Sequence, residues 1–297
     1  MENFVLIGVF VAVGMLFRQI KAFPKDTAHV LNMFALYVSV PALVLLKVPH
    51  IALSSENIVA AVVPCGMLLF SALMVMLGER LWRWPGSATG VLLLVVPLGN
   101  TSFMGVPMIQ AFFGTAALSH LIIYDQMNML IFGTYGTIML TLYGTDTSFK
   151  FWTITRRILL FPPTTALVIG IALRPWLTSE KMTLCLQNIS MTIVPLVMTA
   201  IGFQLQLRLP RHLLAPLSAG LFIKLIAAPL VALLCCRMLG ITGQAVHVSI
   251  MEAGMPPMVT ASAMAVIAGM ETELAVALVG VGIILSFGTL PLLYLLM

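Results

Sequence analysis

Apolar residues follow one another in runs of about 17 to 27 residues along the whole chain, with short polar stretches between the runs. A hydrocarbon core roughly 30 Å thick is crossed by about 20 apolar residues in an α-helix, so these runs are suited to span a bilayer. Strands of a membrane barrel would show short alternating segments instead. The pattern predicts an all-α polytopic membrane protein.

We place ten transmembrane helices on these runs and expect the first one to be retained, because its start does not resemble a signal peptide. The predicted spans are 3–17, 27–47, 58–78, 88–113, 117–141, 157–173, 186–206, 213–237, 244–268 and 272–296. The loops between them are short, and none is long enough for a soluble domain. We therefore expect the function to reside in the bundle of helices.

Composition and charge support this interpretation and set an orientation. Hydrophobic residues make up 61% of the chain and charged residues 8%, against roughly 25% charged residues in a soluble domain. The net charge of +5 comes from short loops, which indicates membrane topology and not nucleic-acid binding. If the N-terminus is outside, ten basic residues fall in cytoplasmic loops and four in outer loops. The cytoplasmic ones are Arg18, Lys21, Lys25, Arg80, Arg83, Lys150, Arg156, Arg157, Arg208 and Arg211, and the outer ones Lys47, Arg174, Lys181 and Arg237. Both termini are therefore predicted to be outside.

The chain also repeats itself at an offset of about 155 residues. The matches include Gly99 with Gly254 and Phe132–Thr134 with Phe287–Thr289. Each half holds five spans, an odd number, so the second half enters the membrane upside down. We predict one inverted repeat over 1–146 and a second over 147–297, an architecture of secondary transporters.

Spans four and nine are interrupted at corresponding positions. An unpaired backbone group in hydrocarbon costs several kcal/mol, so a helix is broken only where its backbone is buried in protein or lines a cavity. Paired broken helices are typical of a binding site at the membrane midplane. The substrate-binding residues predicted at the breaks are Gly99, Asn100, Thr101, Ser102, Met255, Pro256 and Pro257. The alternative is a simple proline kink in each helix.

Three charged residues lie inside predicted spans, where each costs at least a few kcal/mol and is a functional candidate by default. Asp125 and Glu252, with Asn128 on the same helical face as Asp125, are the predicted residues for coupling to a proton or sodium ion. Lys224 is expected to pair with one of the carboxylates or to meet an anionic substrate directly. A structural buried ion pair is the alternative. No organic cofactor and no metal site are predicted, since the four cysteines lack metal-ligand spacing with histidine.

Four segments in order carry a resemblance to a known family: LNMFALYVSVPALVLL, GNTSFMGVPMI, FIKLIAAPLVALL and AGMPPMVTASAMA. They resemble the auxin efflux carrier family, which includes the plant PIN-formed auxin carriers and bacterial permeases for small carboxylates. The similarity covers essentially the whole chain. It implies two inverted five-helix repeats, related to bile acid–sodium symporters and NhaA-type antiporters. It also implies that spans four and nine cross at their breaks, with substrate beside the crossing.

Individual residues match the family motifs. Asn100 and Thr101 match the Asn-Thr of the plant Asn-Pro-Asn-Thr-Tyr-Ser motif, Pro256 and Pro257 match the second proline pair, and Lys224 matches a lysine of bacterial members. The chain has Leu98-Gly99 where the plant motif has Asn-Pro, and it lacks the long hydrophilic plant loop. The resemblance therefore favours a bacterial small-carboxylate permease of the inner (plasma) membrane over an auxin carrier.

The resulting expectation is a carrier, not an enzyme, for a small organic anion such as a mono- or dicarboxylate or an auxin-like weak acid. It would work by alternating access, and the resemblance implies that spans three to five and eight to ten move against the others. The alternatives are a sodium/proton-type exchanger and a sodium-coupled anion symporter on the same fold. An intramembrane enzyme or a receptor is disfavoured, because no catalytic motif is present. Glycine pairs such as Gly133 with Gly136 and Gly280 with Gly282 suit packing within one chain or in a homodimer.

Overall fold

The computed structural model describes residues 2–50, 55–145, 160–204 and 211–297. Over these ranges the chain is helical, without a named strand. Five stretches are long and apolar enough to cross a membrane: Thr27–Lys47, Asn57–Trp82, Glu180–Gln204, Leu214–Met238 and Thr272–Leu296. Shorter apolar helices are Val5–Phe17, Gly86–Val95, Thr101–Phe113 and Pro162–Ala172. Large apolar side chains such as Leu69 and Leu295 are 72% and 79% exposed, which suits contact with lipid.

The α-helices of the described residues are short, because several long segments are divided. In the first half they are α1 (Glu2–Phe17), α2 (Thr27–Phe34), α3 (Val40–Lys47), α4 (Ser55–Trp82), α5 (Gly86–Val95), α6 (Val106–Phe113), α7 (Leu118–Ile131) and α8 (Thr137–Tyr143). In the second half they are α9 (Pro162–Ala172), α10 (Arg174–Leu177), α11 (Glu180–Ser190), α12 (Ile193–Gln204), α13 (Leu214–Phe222), α14 (Ala228–Met238), α15 (Gln244–Ala253), α16 (Val259–Ile267) and α17 (Thr272–Leu296). The predicted cytoplasmic residues Lys150, Arg156, Arg157 and Arg208, and the predicted repeat boundary at 146, lie outside the described ranges.

Three divisions have the same local cause. Pro41, Pro107 and Pro229 each occupy the second position of a helix that follows a π-helical turn. A proline lacks an N–H and its ring displaces the carbonyl one turn earlier, so the preceding turn widens. The π-helical turns are Ala35–Ser39, Thr101–Gly105 and Ile223–Ala227, and a fourth without a following proline spans Phe132–Gly136.

The chain forms two compact units, and each unit takes segments from both halves of the sequence. Unit 1 is Met1–Leu53, Ser102–Ile122 and Leu159–Leu205. In it α1 packs on α12 so closely that a Cβ atom at Gly14 would overlap the backbone carbonyl of Thr199, and one at Gly202 that of Val11. Ser39 and Thr192 also share a hydrogen bond of 2.6 Å between their hydroxyl groups.

Unit 2 is Ser54–Thr101, Ile123–Ile158 and Gln206–Met297. α5 lies at its centre, with all residues from Ala88 to Val95 buried. It packs against α4, α8, α13, α16 and α17. Gly220 of α13 allows this packing, since a Cβ atom there would lie 2.7 Å from Leu92 Cδ2. Helix interruptions within this unit are therefore surrounded by protein.

Candidate functional site

Both predicted interruptions are present. α5 ends at Val95, residues 96–100 are not helical, and the π-helical turn Thr101–Gly105 leads into α6. In the second half α15 ends at Ala253, residues 254–258 are not helical, and α16 begins at Val259. We call 96–100 the first break and 254–258 the second break. Neither is a simple proline kink, since about five residues leave the helix at each.

The two breaks pair with each other through their backbones. Gly99 and Pro257 form an isolated antiparallel bridge. The Asn100 N–H donates to the Pro256 carbonyl oxygen at 2.8 Å, and the Met258 N–H donates to the Leu98 carbonyl oxygen at 3.0 Å. Each break thus supplies hydrogen-bond partners that the other break lost on leaving the helix. These two N–H groups are consequently not available to an anion in this conformation.

Two side chains of α7 join the first break. Thr101 Oγ1 donates a hydrogen bond to Asp125 Oδ1 at 2.5 Å. Asn128 Nδ2 donates to the Gly99 carbonyl oxygen at 3.0 Å and to Thr101 Oγ1 at 3.3 Å. The residues predicted for ion coupling, Asp125 and Asn128, therefore contact residues predicted for substrate binding. Thr101, Asp125 and Asn128 thus form a hydrogen-bonded group beside Gly99. Together with Asn100, Lys224 and Glu252, which are described below, we call these residues the polar cluster.

The polar face of α7 points into the protein, as its spacing predicted. Asp125 and Asn128 are buried. The Tyr135 hydroxyl donates to the Leu93 carbonyl oxygen at 2.9 Å. A Cβ atom at Gly136 would meet Leu94 of α5 at 3.4 Å, so this glycine packs within the chain.

Lys224 reaches the first break from the π-helical turn of the eighth predicted span. Its side chain is 2% exposed. A Cβ atom built on Gly99 would lie 3.3 Å from Lys224 Nζ. Glycine at position 99, where the plant motif has proline, therefore lets an ammonium group come close to the broken backbone.

Glu252 lies in the last turn of α15, just before the second break, and is completely buried. Its carboxylate interacts electrostatically with Asp125 and Lys224. Neither of its carboxylate oxygens has a hydrogen-bond partner among the described residues. The sequence left open whether Lys224 pairs with a carboxylate. The structure places Lys224 within electrostatic range of Glu252, without a hydrogen bond between them.

A second buried polar group near the breaks is also unsatisfied. Asn100 is 3% exposed, and its Nδ2 has no hydrogen-bond partner in the described part of the chain. Buried polar groups without partners are uncommon and call for a physical explanation, such as a ligand or a catalytic or coupling role. Asn100 and Glu252 therefore mark the breaks as a candidate binding site.

The remaining predicted residues differ in their surroundings. Met255, Pro256 and Pro257 are buried, and a Cβ atom at Gly282 of α17 would lie 2.7 Å from Pro257 Cδ. This glycine thus packs on the second break within the chain. Ser102 is partly buried and begins the next stretch of unit 1, so it is not grouped with the cluster of unit 2.

One residue beside the polar cluster was not predicted. Tyr124 is 3% exposed and lies near enough to Glu252 for the two charges to repel each other if the phenol were ionised. The only sequence feature that could have indicated this residue is that a tyrosine directly precedes Asp125 inside an apolar span. Periodicity does not assign it to the site, because its neighbour Glu252 is distant in the chain.

The cluster is closed to solvent in this conformation. Asn100, Thr101, Asp125, Asn128, Lys224 and Glu252 are between 0% and 4% exposed.

Comparisons with known proteins agree on a transport role. The sequence pattern of a family described as membrane transport protein matches residues 1–294. An uncharacterized transporter of Methanothermobacter thermautotrophicus is 26% identical over 98% of this chain and 96% of its own length. An uncharacterized transporter of Methanocaldococcus jannaschii is 24% identical over 96% of this chain and 94% of its own length. The family resemblance drawn from the four sequence segments is confirmed.

Proposed function

Because the chain belongs to the family of membrane transport proteins, we propose that it is a secondary carrier of a small organic anion, working by alternating access. One observation carries the choice of an anion. The Lys224 ammonium lies buried next to the paired breaks, and so does Asn100 Nδ2, which has no hydrogen-bond partner among the described residues. A cation and a free amide donor are the groups that a carboxylate requires.

The geometry suits a mono- or dicarboxylate of small size. Lys224 supplies a positive charge, and the Asn100 amide supplies a directed N–H donor. α16, which restarts after the second break, points the positive end of its helix dipole towards that break. The apolar Met255 and the two prolines provide contact for the carbon skeleton.

The carboxylates beside this site provide a means of coupling. A buried carboxylate without hydrogen bonds is costly in its charged form, so Glu252 favours uptake of a proton or a sodium ion. Asp125, Asn128 and Thr101 lie in the same cluster. An ion held by these residues would offset the negative charge that an arriving substrate brings, which links the two binding events.

The topology that we propose has ten spans in two inverted repeats, 1–146 and 147–297, whose breaks cross in the membrane. Both termini lie outside a bacterial inner membrane, as the distribution of lysine and arginine indicates. The moving part comprises spans three to five and eight to ten. The composition of unit 2, which contains α4, α5, most of α7, α8 and α13–α17, supports this division, except that α6 and the start of α7 belong to unit 1.

A second candidate is a cation exchanger or a sodium-coupled symporter on the same fold. The specific observation in its favour is the electrostatic interaction of Asp125 with Glu252. The sequence shows these carboxylates on different spans, and the structure brings them into one cluster. Paired carboxylates inside a membrane are typical of cation and proton pathways.

Uptake measurements separate these functions. Purified protein is reconstituted into liposomes, and entry of labelled malonate, malate and indole-3-acetate is followed with no gradient, a pH gradient or a sodium gradient. We expect saturable uptake of at least one carboxylate, loss of it in Lys224→Met, and retention in Lys21→Gln, whose side chain is exposed. Sodium-driven proton flux without any carboxylate uptake would favour the exchanger. If folded protein shows neither carboxylate uptake nor sodium-driven proton flux, both proposed functions are excluded.

A further inference from the structure

Unit 1 contains a cavity of about 280 Å³ that shares no residue with the cluster at the breaks. Its walls come from the end of α3, from α6, from the start of α7 and from α11 with the turn that follows it. The lining residues that the structure describes all lie within unit 1. The volume suits a ligand smaller than a drug-sized molecule, since pockets for the latter are roughly 300–1,000 Å³.

The lining has two kinds of surface. Apolar side chains such as Leu43, Leu46 and Val106 form one part. The polar part includes Gln110, Gln187 and Ser190. A few convergent polar groups in a mainly apolar cavity are what small-molecule sites usually show.

The charge of the cavity is positive. Lys47, the last residue of α3, lines it, and none of the described lining residues is an aspartate or a glutamate. The side chain is partly buried. The negative end of the α3 dipole is favourable for the ammonium, and the aliphatic stem can run along the wall to water. The Ser190 hydroxyl donates to the Gln187 carbonyl oxygen at 2.9 Å and is satisfied within α11, whereas neither effect supplies a carboxylate partner for Lys47.

We propose that this cavity is a second anion-binding site, selective for a carboxylate with a small apolar skeleton. Lys47 binds the carboxylate, Gln110 and Gln187 orient it, and the leucines and Val106 contact the carbon skeleton. The ligand is either the transported anion or a separate organic acid. Binding here does not depend on the proposed function at the breaks, so each is tested separately.

The experiment uses benzoate, with benzamide as an uncharged molecule of nearly the same shape. Binding to the purified full-length protein in detergent is measured by titration calorimetry. We expect benzoate to bind and benzamide to bind at least about 10-fold more weakly, since a charge-assisted contact is lost. Lys47→Gln should weaken benzoate binding by a similar factor, and Lys47→Arg should retain it. Benzoate binding that persists in Lys224→Gln is binding at the cavity, because that variant lacks the cation proposed for the breaks.

A second variant covers the case in which Lys47→Gln does not fold. Gln187 is exposed at the cavity, so Gln187→Trp narrows the opening without disturbing the core. It should also weaken benzoate binding by about 10-fold or more. Benzoate affinity unchanged in folded Gln187→Trp and Lys47→Gln would overturn the proposal, as would equal binding of benzamide.

The same titrations separate the sources of the ligand and the two sites. Competition by malonate in Lys224→Gln indicates that the second site takes the class of anion proposed for transport. Absence of competition, with benzoate still bound, indicates a separate organic acid. Loss of benzoate binding in Lys224→Gln but not in Lys47→Gln would overturn this proposal and leave the proposed function standing. Benzoate binding that is retained in both Lys47→Gln and Lys224→Gln would also overturn this proposal.

Discussion

Thr101 Oγ1 donates a hydrogen bond to Asp125 Oδ1 across 24 residues of chain, and both side chains are buried. This bond connects Thr101, the residue directly after the first break, to α7. Asn128 adds a second connection through the Gly99 carbonyl oxygen. The non-helical backbone is thus held by side chains of a neighbouring helix as well as by the second break.

Removing the hydroxyl at position 101 should destabilise the protein. Thr101→Val keeps the shape but withdraws a donor from a buried carboxylate, and we expect the free energy of unfolding to fall by about 1–3 kcal/mol. Unfolding by sodium dodecyl sulfate in mixed micelles measures the change. Thr101→Ser retains the hydroxyl and should lose less. An unchanged free energy of unfolding in Thr101→Val, which keeps the methyl group, would contradict a stabilising role of this hydrogen bond.

The packing of α17 against the second break can be tested with two glycine substitutions on α17, one at the contact and one away from it. Gly282→Ala places a methyl group 2.7 Å from the rigid ring of Pro257. We expect a loss of about 1–3 kcal/mol in the free energy of unfolding, because the core becomes overpacked. A Cβ atom at Gly288 meets nothing within 4 Å, so Gly288→Ala should leave stability unchanged or raise it by up to about 1 kcal/mol. Equal effects would contradict this packing.

Gly99 should matter more for transport than for folding. A Cβ atom there lies 3.3 Å from Lys224 Nζ, the end of a flexible side chain that can shift. Gly99→Ala should therefore fold and keep its thermal midpoint, while the KM for carboxylate uptake rises because the ammonium is displaced. Gly66→Ala, where a Cβ atom meets nothing within 4 Å, is the control. A KM unchanged in Gly99→Ala would remove Lys224 from the substrate site.

Glu252 should determine the dependence of transport on an ion gradient. Glu252→Gln has nearly the same shape but cannot take up a proton or balance a sodium ion. We expect uptake to become equal with and without the gradient. Glu273→Gln, an exposed carboxylate 4.0 Å from His212, should respond like the unmodified protein. Persistent gradient dependence in Glu252→Gln would assign coupling to Asp125 or elsewhere.

The helical class and the position of both breaks could be predicted from the sequence. Proline and glycine interrupt a helix through their own backbone properties, so the interruption can be predicted from that segment of the sequence alone. The inward face of α7 was also predictable, because residues three and four positions apart lie on one side of a helix. Family membership followed from four segments in order.

The contacts of the cluster could not be predicted in the same way. The hydrogen bond of Thr101 with Asp125 and the position of Lys224 beside Gly99 depend on the rotation of helices that are far apart in the sequence. Periodicity does not fix that rotation. For the same reason we assigned substrate binding and ion coupling to separate residues from the sequence. In the structure a hydrogen bond joins Thr101, predicted for substrate binding, to Asn128, predicted for ion coupling.

Asn100 provides the most direct test of the central claim that the paired breaks hold a carboxylate. Its Nδ2 has no hydrogen-bond partner among the described residues, so Asn100→Leu should not lower the free energy of unfolding. It should nevertheless weaken binding of the carboxylate. The measurement is exchange of labelled carboxylate between the two sides of proteoliposomes, for the unmodified protein and for Asn100→Leu of equal thermal midpoint. We expect saturable exchange that falls at least about 10-fold in the variant, because a hydrogen bond to a charged ligand is lost. Exchange at the unmodified rate in folded Asn100→Leu would contradict it.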